Sequence, residues 1–135
     1  MKVLLDTHVM LSLLRRDITQ RYPAIARQLA DPATIGFVSV ASLWEVALKT
    51  RLGKLDPGLP LDEIAGYLEA LGLVLLSVEA EHVVANLNPI PATRDPFDRL
   101  LLAKCQVENL VLATVDRALA DHPLALKAES REIAS

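Results

Sequence analysis

One cysteine, one tryptophan and four other aromatic residues among 135 positions exclude several kinds of protein at the outset. Cys105 alone cannot make an intramolecular disulfide, so a reducing cytoplasm is the expected compartment. So few rings give little material for a platform on which bases stack. None of the five glycines forms a phosphate-cradling loop. His8, His82 and His122 are scattered, which argues against a histidine-rich zinc centre. The 14 Lys and Arg against 17 Asp and Glu give a net charge of −3, so no basic surplus announces a polyanion binder. Long apolar runs are missing too. The uncharged stretches fall short of the roughly 20 residues that span a bilayer, and no membrane association is expected. MKVLLDTHVMLSLLRRD is interrupted by Asp6 and His8 and does not read as a targeting segment.

What the chain has is apolar residues, 52% of the total, in short runs that alternate with amphipathic stretches. That layout predicts an α/β fold, and the length predicts one domain over residues 1–135. Strands are expected at Lys2–Asp6, Ile35–Val38, Leu73–Leu76 and Leu110–Ala113. Helices are expected at His8–Arg15, Arg21–Ala30, from an N-cap at Ser39 to Leu52, and at Leu61–Leu71. Three more run from Ser77 to about Leu87, from Asp95 through Val107, and from Asp116 to about Ala120. Gly53 and Gly72 stand where they would end helices. Pro89 and Pro91 keep residues 88–94 irregular. Leu124–Lys127 is a candidate edge strand, and the rest of 124–135 reads as a frayed tail.

Carboxylates carry the functional signal. Asp6 follows Val3-Leu4-Leu5 and Asp116 follows the run ending at Ala113, so each reads as an acid released at the carboxyl edge of a buried parallel strand. Open α/β sheets place their ligands at that edge. Glu45 sits among Leu43, Trp44, Val46, Ala47 and Leu48, too apolar a stretch for an ordinary surface acid. Asp98 lies in DPFDRLLLA. Each acid also has a local explanation. Asp95 before Pro96 is a favoured helix start, Asp98 at the third helical position suits the dipole, Asp6 and Asp116 can cap the helices that follow, and Glu45 can be a solvated helix residue.

Gathered in one pocket, four such groups would raise one another's pKa and favour a divalent cation. Oxygen donors suit Mg²⁺ or Mn²⁺. The expected chemistry is attack of water on a phosphate ester. Arg15, Arg16, Lys49, Arg51, Lys54, Arg94, Arg99 and Arg117 flank the motifs as phosphate contacts, although any one alone reads as a solvated helix face. Cys105 is expected to be a small core residue, Trp44 a packing anchor in preference to a base-stacking surface, and His8 to be structural or to orient Asp6.

The ordered segments LLDTHVMLSLL, SVASLWEVALKTRLGKL, DPFDRLLLAKC and LVLATVD resemble a PIN-domain protein of the VapC toxin family, in the subgroup whose first motif reads DTH. The resemblance implies a three-layer α/β/α PIN-like domain with a short parallel central sheet. It also implies Mg²⁺ or Mn²⁺, endonucleolytic cleavage of RNA leaving a 5′-phosphate and a 3′-hydroxyl, homodimerisation, and inhibition by a cognate VapB-type antitoxin. Asp6, Glu45, Asp98 and Asp116 take the place of the family's catalytic acids. Asp6, Asp98 and Asp116 would bind metal, Glu45 would orient water or act as a second ligand, and Thr114 and Asp95 would support them. Lys49, Arg99 and Arg117 are the bases expected at the RNA. Dimer and antitoxin contacts are expected on Arg21–Ala30 and Leu61–Leu71. Two alternatives stand beside this reading: an inactive PIN scaffold that acts through protein binding, and a phosphatase with Asp6 as nucleophile, which lacks a second Asp at the position of His8.

Overall fold

A computed structural model describes residues 1–126. Four strands, β1 (Lys2–Leu5), β2 (Ile35–Ser39), β3 (Val74–Leu76) and β4 (Val111–Ala113), form one sheet in the order β3-β2-β1-β4, with every pairing parallel. The register sets Val3 beside both Gly36 and Val111, and Leu5 beside Ala113. Both faces of β1 are covered, which is why its residues are continuously apolar instead of alternating. Val3 and Leu5 join Val9, Met10, Leu14, Val38, Val46, Ile64 and Leu68 on one face. Leu4 joins Leu101, Leu102, Cys105, Leu110, Leu112 and Leu119 on the other. Burying a side chain of that size stabilises by about 1.5–3 kcal/mol, so the two cores fix the sheet between helical layers.

The helices are α1 (Thr7–Arg15), α2 (Ile18–Arg21), α3 (Pro23–Ala30), α4 (Val40–Arg51), α5 (Ile64–Ala70), α6 (Ala80–Val84), α7 (Pro96–Glu108) and α8 (Arg117–Ala120). Their starts follow capping chemistry. Asp6, Ser39, Asp95 and Asp116 each accept a backbone N–H in the first turn of the helix they precede. Gly53 after α4 and Gly72 after α5 take positive φ, which their lack of a Cβ permits.

Four expectations need correction. The helix expected at Arg21–Ala30 starts at Pro23, and Arg21 belongs to a separate short α2. Leu61–Leu71 opens with a 3-10 turn at Leu61–Glu63 before α5. Helix α6 starts from Glu79 and not Ser77, because Glu79 and His82 form a reciprocal cap in which the Glu79 N–H donates to His82 Nδ1 at 2.9 Å. It stops at Val84, short of Leu87, where Ala85 turns extended. The edge strand expected at Leu124–Lys127 is reduced to a single parallel bridge between Ala125 and Leu112, while Lys127 and the expected tail lie outside the described residues.

Candidate active site at the carboxyl edge of the sheet

Because the strands are parallel, β1, β2 and β4 all release their chains at one edge. Asp6 leaves β1 already fixed in place. Its Oδ1 accepts the Val9 N–H at 2.8 Å and its Oδ2 accepts the Val115 N–H at 3.2 Å, so the side chain spans the two adjacent strand ends. Only 2% of the residue is exposed. Burial raises the carboxyl pKa, and the Thr114 hydroxyl, the Val9 N–H, the His8 charge and the Val115 N–H partly offset that rise. The Thr114 hydroxyl thus acts on the Asp6 carboxyl, and its Oγ1 also accepts the Asp116 N–H at 3.1 Å. His8 itself is exposed and acts on Asp6 only through charge.

Glu45 reaches the same edge from α4 and is buried. Thr7 Oγ1 donates to its Oε1 at 2.7 Å, and Lys49 Nζ donates to its Oε2 at 2.6 Å. Ser42 Oγ lies 3.2 Å from the Thr7 hydroxyl. Asp98 stands in the first turn of α7 and accepts from Thr93 Oγ1 at 3.3 Å. Its pKa is pushed up to about 6, first by burial and then by the negative charges of Asp95 and Asp116, with Glu45 adding to them. A carboxyl on α7 thus feels acids delivered by its own cap, by the β4–α8 connection and by α4. Asp6 joins this group through its chain neighbour Thr7, which is bonded to Glu45, and through Val115, the neighbour of Asp116.

Thr7 and Thr93 had no role assigned from the sequence. Thr7 could have been found from its position directly after Asp6. Thr93 could have been found from the turn it makes with the Asp95 N–H, at 3.1 Å. Among the described residues, ligand atoms already within 4.8 Å of one another belong to a different trio, Glu81, His82 and Glu108. Both nitrogens of His82 are engaged there, Nδ1 by the Glu79 N–H and Nε2 by Glu108 at 2.7 Å, which is a packing arrangement of α6 on α7.

The flanking bases divide. Lys49 feels the charges of Asp95 and Asp98 as well as its partner Glu45, and its pKa is raised. Arg117 is exposed at the start of α8, directly after Asp116. Arg99 borders a cavity of about 350 Å³ between α6 and α7, with Pro96, Leu100 and His82. Two other candidates are occupied elsewhere: Arg15 donates twice to the Asp56 carbonyl, and Arg16 lies 5.8 Å from the Tyr67 ring centre. Trp44 is not a core residue. It is 59% exposed and meets Phe97 edge-on at 5.6 Å.

A PIN domain family model matches residues 3–123. The chain belongs to the PIN domain family. Among solved structures, this PIN domain is similar to a chain of VapBC2 from Rickettsia felis bound to a DNA fragment from their promoter, at TM-score 0.61 and 14% identity. The match covers 93% of this chain and 96% of the other. No curated protein matches the sequence. Among the described residues, no helix is long and apolar enough to cross a membrane.

The donor set of this PIN domain fits a hard divalent cation. Its acids are all oxygen donors, and Asp6 and Asp98 both sit above the usual carboxylate range. That strain is of the kind an added positive charge relieves.

Proposed function

We propose that this PIN domain is a Mg²⁺- or Mn²⁺-dependent endoribonuclease, the toxin component of a VapBC-type toxin–antitoxin module. The observation that carries the reading is the charge Asp98 feels from Asp95, Asp116 and Glu45, three acids brought by different segments to the edge where Asp6 emerges. Asp6, Asp98 and Asp116 would hold the cation. Bound there, it would lower the pKa of a water and neutralise charge growing on the phosphoryl oxygens. Glu45, held by Thr7 and Lys49, would orient that water. Thr114 fixes the Asp6 carboxylate, the kind of support that sets ligand orientation. Asp95 caps α7 and adds negative field, while Lys49, Arg99 and Arg117 contact the RNA backbone.

Purified protein incubated with RNA and Mn²⁺ is expected to yield fragments with 5′-phosphate and 3′-hydroxyl ends. Asp6→Asn is expected to abolish them. Cleavage that persists in EDTA or in Asp6→Asn would reject the reading.

Two apolar surfaces suit the partners. Val40, Trp44, Leu48 and the C-cap Leu52 recur every four residues and are exposed, which makes a seam about 18 Å long on α4 and its end. We assign this seam to a second copy of the chain, in place of the α3 and α5 faces. Leu48→Asp is then expected to shift the protein from dimer to monomer in size-exclusion chromatography with light scattering, and an unchanged mass would sink the assignment. A groove of about 300 Å³ between α3 and the α5–β3 turn, lined by Leu13, Leu29, Leu71 and Leu73, is the place we assign to the VapB-type antitoxin. The Rickettsia felis VapBC2 complex supports a partner of that kind.

A further inference from the structure

Among the described residues, Glu45 is the acid of the quartet with a cation bonded to its carboxylate. Lys49 Nζ sits on Oε2 at 2.6 Å, and the Thr7 hydroxyl occupies Oε1 at 2.7 Å. An exposed Glu–Lys pair four residues apart on a helix would be an ordinary surface bridge worth a few tenths of a kcal/mol. This pair differs in two ways. Its glutamate is buried, and its lysine feels Asp95 and Asp98 across from α7. A buried carboxylate needs a counter-charge and satisfied lone pairs, and these two donors supply both.

We propose that Lys49 is the built-in counter-ion of the acidic site: it occupies Glu45 where a second divalent cation would otherwise bind, and so limits the site to a single cation held by the three aspartates. The proposal rests on the nuclease reading and adds to it the metal stoichiometry. The printed donors on Asp6, Asp98 and Asp116 are neutral N–H or hydroxyl groups, whereas Glu45 already carries an ammonium on one oxygen. A second ion near Glu45 would have to displace the ammonium and face its charge at close range, where repulsion is strong.

Calorimetric titration with Mn²⁺ tests this without any activity assay. Wild type is expected to bind one ion per chain. Lys49→Met, which keeps the stem and removes the charge, is expected to bind two. Lys49→Arg should return the count to one, and Glu45→Gln should bind one ion within about threefold of wild-type affinity, because Glu45 is not a ligand of that ion. Circular dichroism melts establish that each variant is folded. Two ions in wild type, one in a folded Lys49→Met, or a loss of more than tenfold in Glu45→Gln would overturn the proposal. If wild type shows a single site abolished by Asp98→Asn while Lys49→Met changes nothing, the nuclease reading stands and this inference fails. If wild type shows no saturable site, both fail.

Discussion

Asp98→Asn is expected to stabilise the cation-free protein at pH 7 and, in the same molecule, to remove cation-dependent RNA cleavage. The first effect follows from linkage. The Asp98 carboxyl is pushed up to about 6 in the folded protein from an ordinary 3.8, so the native state keeps this proton to higher pH than the unfolded chain does. Stability from this group is therefore present below pH 4, declines as pH rises to about 6, and at pH 7 has become a penalty. The full shift would correspond to about 3 kcal/mol, and partial exposure with solvent screening reduces this to about 1–2 kcal/mol. Asparagine has no charge to lose and keeps an oxygen for the Thr93 hydroxyl.

In EDTA, the melting temperature of Asp98→Asn is expected to exceed wild type by several degrees at pH 7, with the difference vanishing near pH 4. With Mn²⁺ the order reverses, because wild type gains a bound ion and the variant loses a ligand. Cleavage should fall at least about 100-fold. A variant that is destabilised in EDTA at pH 7, or that cleaves at the wild-type rate, would show that Asp98 is a structural cap and nothing more.

Lys104→Ala is expected to cost about 3–5 kcal/mol, the range for breaking a buried charged contact and leaving a cavity. Lys104 has no accessible surface. Its Nζ donates to Ser39 Oγ, in a short hydrogen bond, and to the Leu76 carbonyl at 3.0 Å. It therefore ties α7 to the ends of β2 and β3. Ser39 is also the cap of α4, so this lysine sets the helix carrying Glu45 against the helix carrying Asp98.

Burial pulls the amine pKa down to about 8, against an opposing push from Glu108 and Glu79. Since the folded value lies below the ordinary 10.5 of a lysine, the unfolded chain holds the proton longer. The penalty is full below pH 8 and lifts as pH rises towards 10.5. Lys104→Met fills the space without a charge and should lose less than Lys104→Ala, under about 2 kcal/mol. Denaturant midpoints of wild type relative to Lys104→Met should therefore rise between pH 8 and pH 10. A flat difference across that range would place the ammonium in solvent and end this account of the clamp.

The acids were legible because each carries a local signature: an apolar run that stops at a carboxylate, an Asp-Pro helix start, a Glu among aliphatics. The same residues also satisfy the local explanations. Asp6, Asp95 and Asp116 are helix caps in the structure as well as members of the acidic edge. Capping and clustering do not compete, because helix N-termini point at the carboxyl edge of a parallel sheet and deliver their caps to it. Trp44 packs on Phe97 from an exposed position. Apart from Glu45 the Leu43–Leu48 stretch is apolar, and composition alone does not tell which face of such a helix meets the core. The boundary of α6 was missed because His82 caps through a ring nitrogen, a role that residue preference does not single out.

The α/β layering, the strand ends and the four candidate acids can be read from the chain alone, since these depend on apolar periodicity and on residues adjacent in sequence. That Lys49 and Thr7 close around Glu45, that Thr114 acts on Asp6, and that Lys104 is sealed beneath the edge follows from the packed fold. Those contacts join residues between 4 and 108 positions apart, and most depend on the order β3-β2-β1-β4. Which strands become neighbours is settled by packing both faces of β1 at once, a condition that no local window of residues contains.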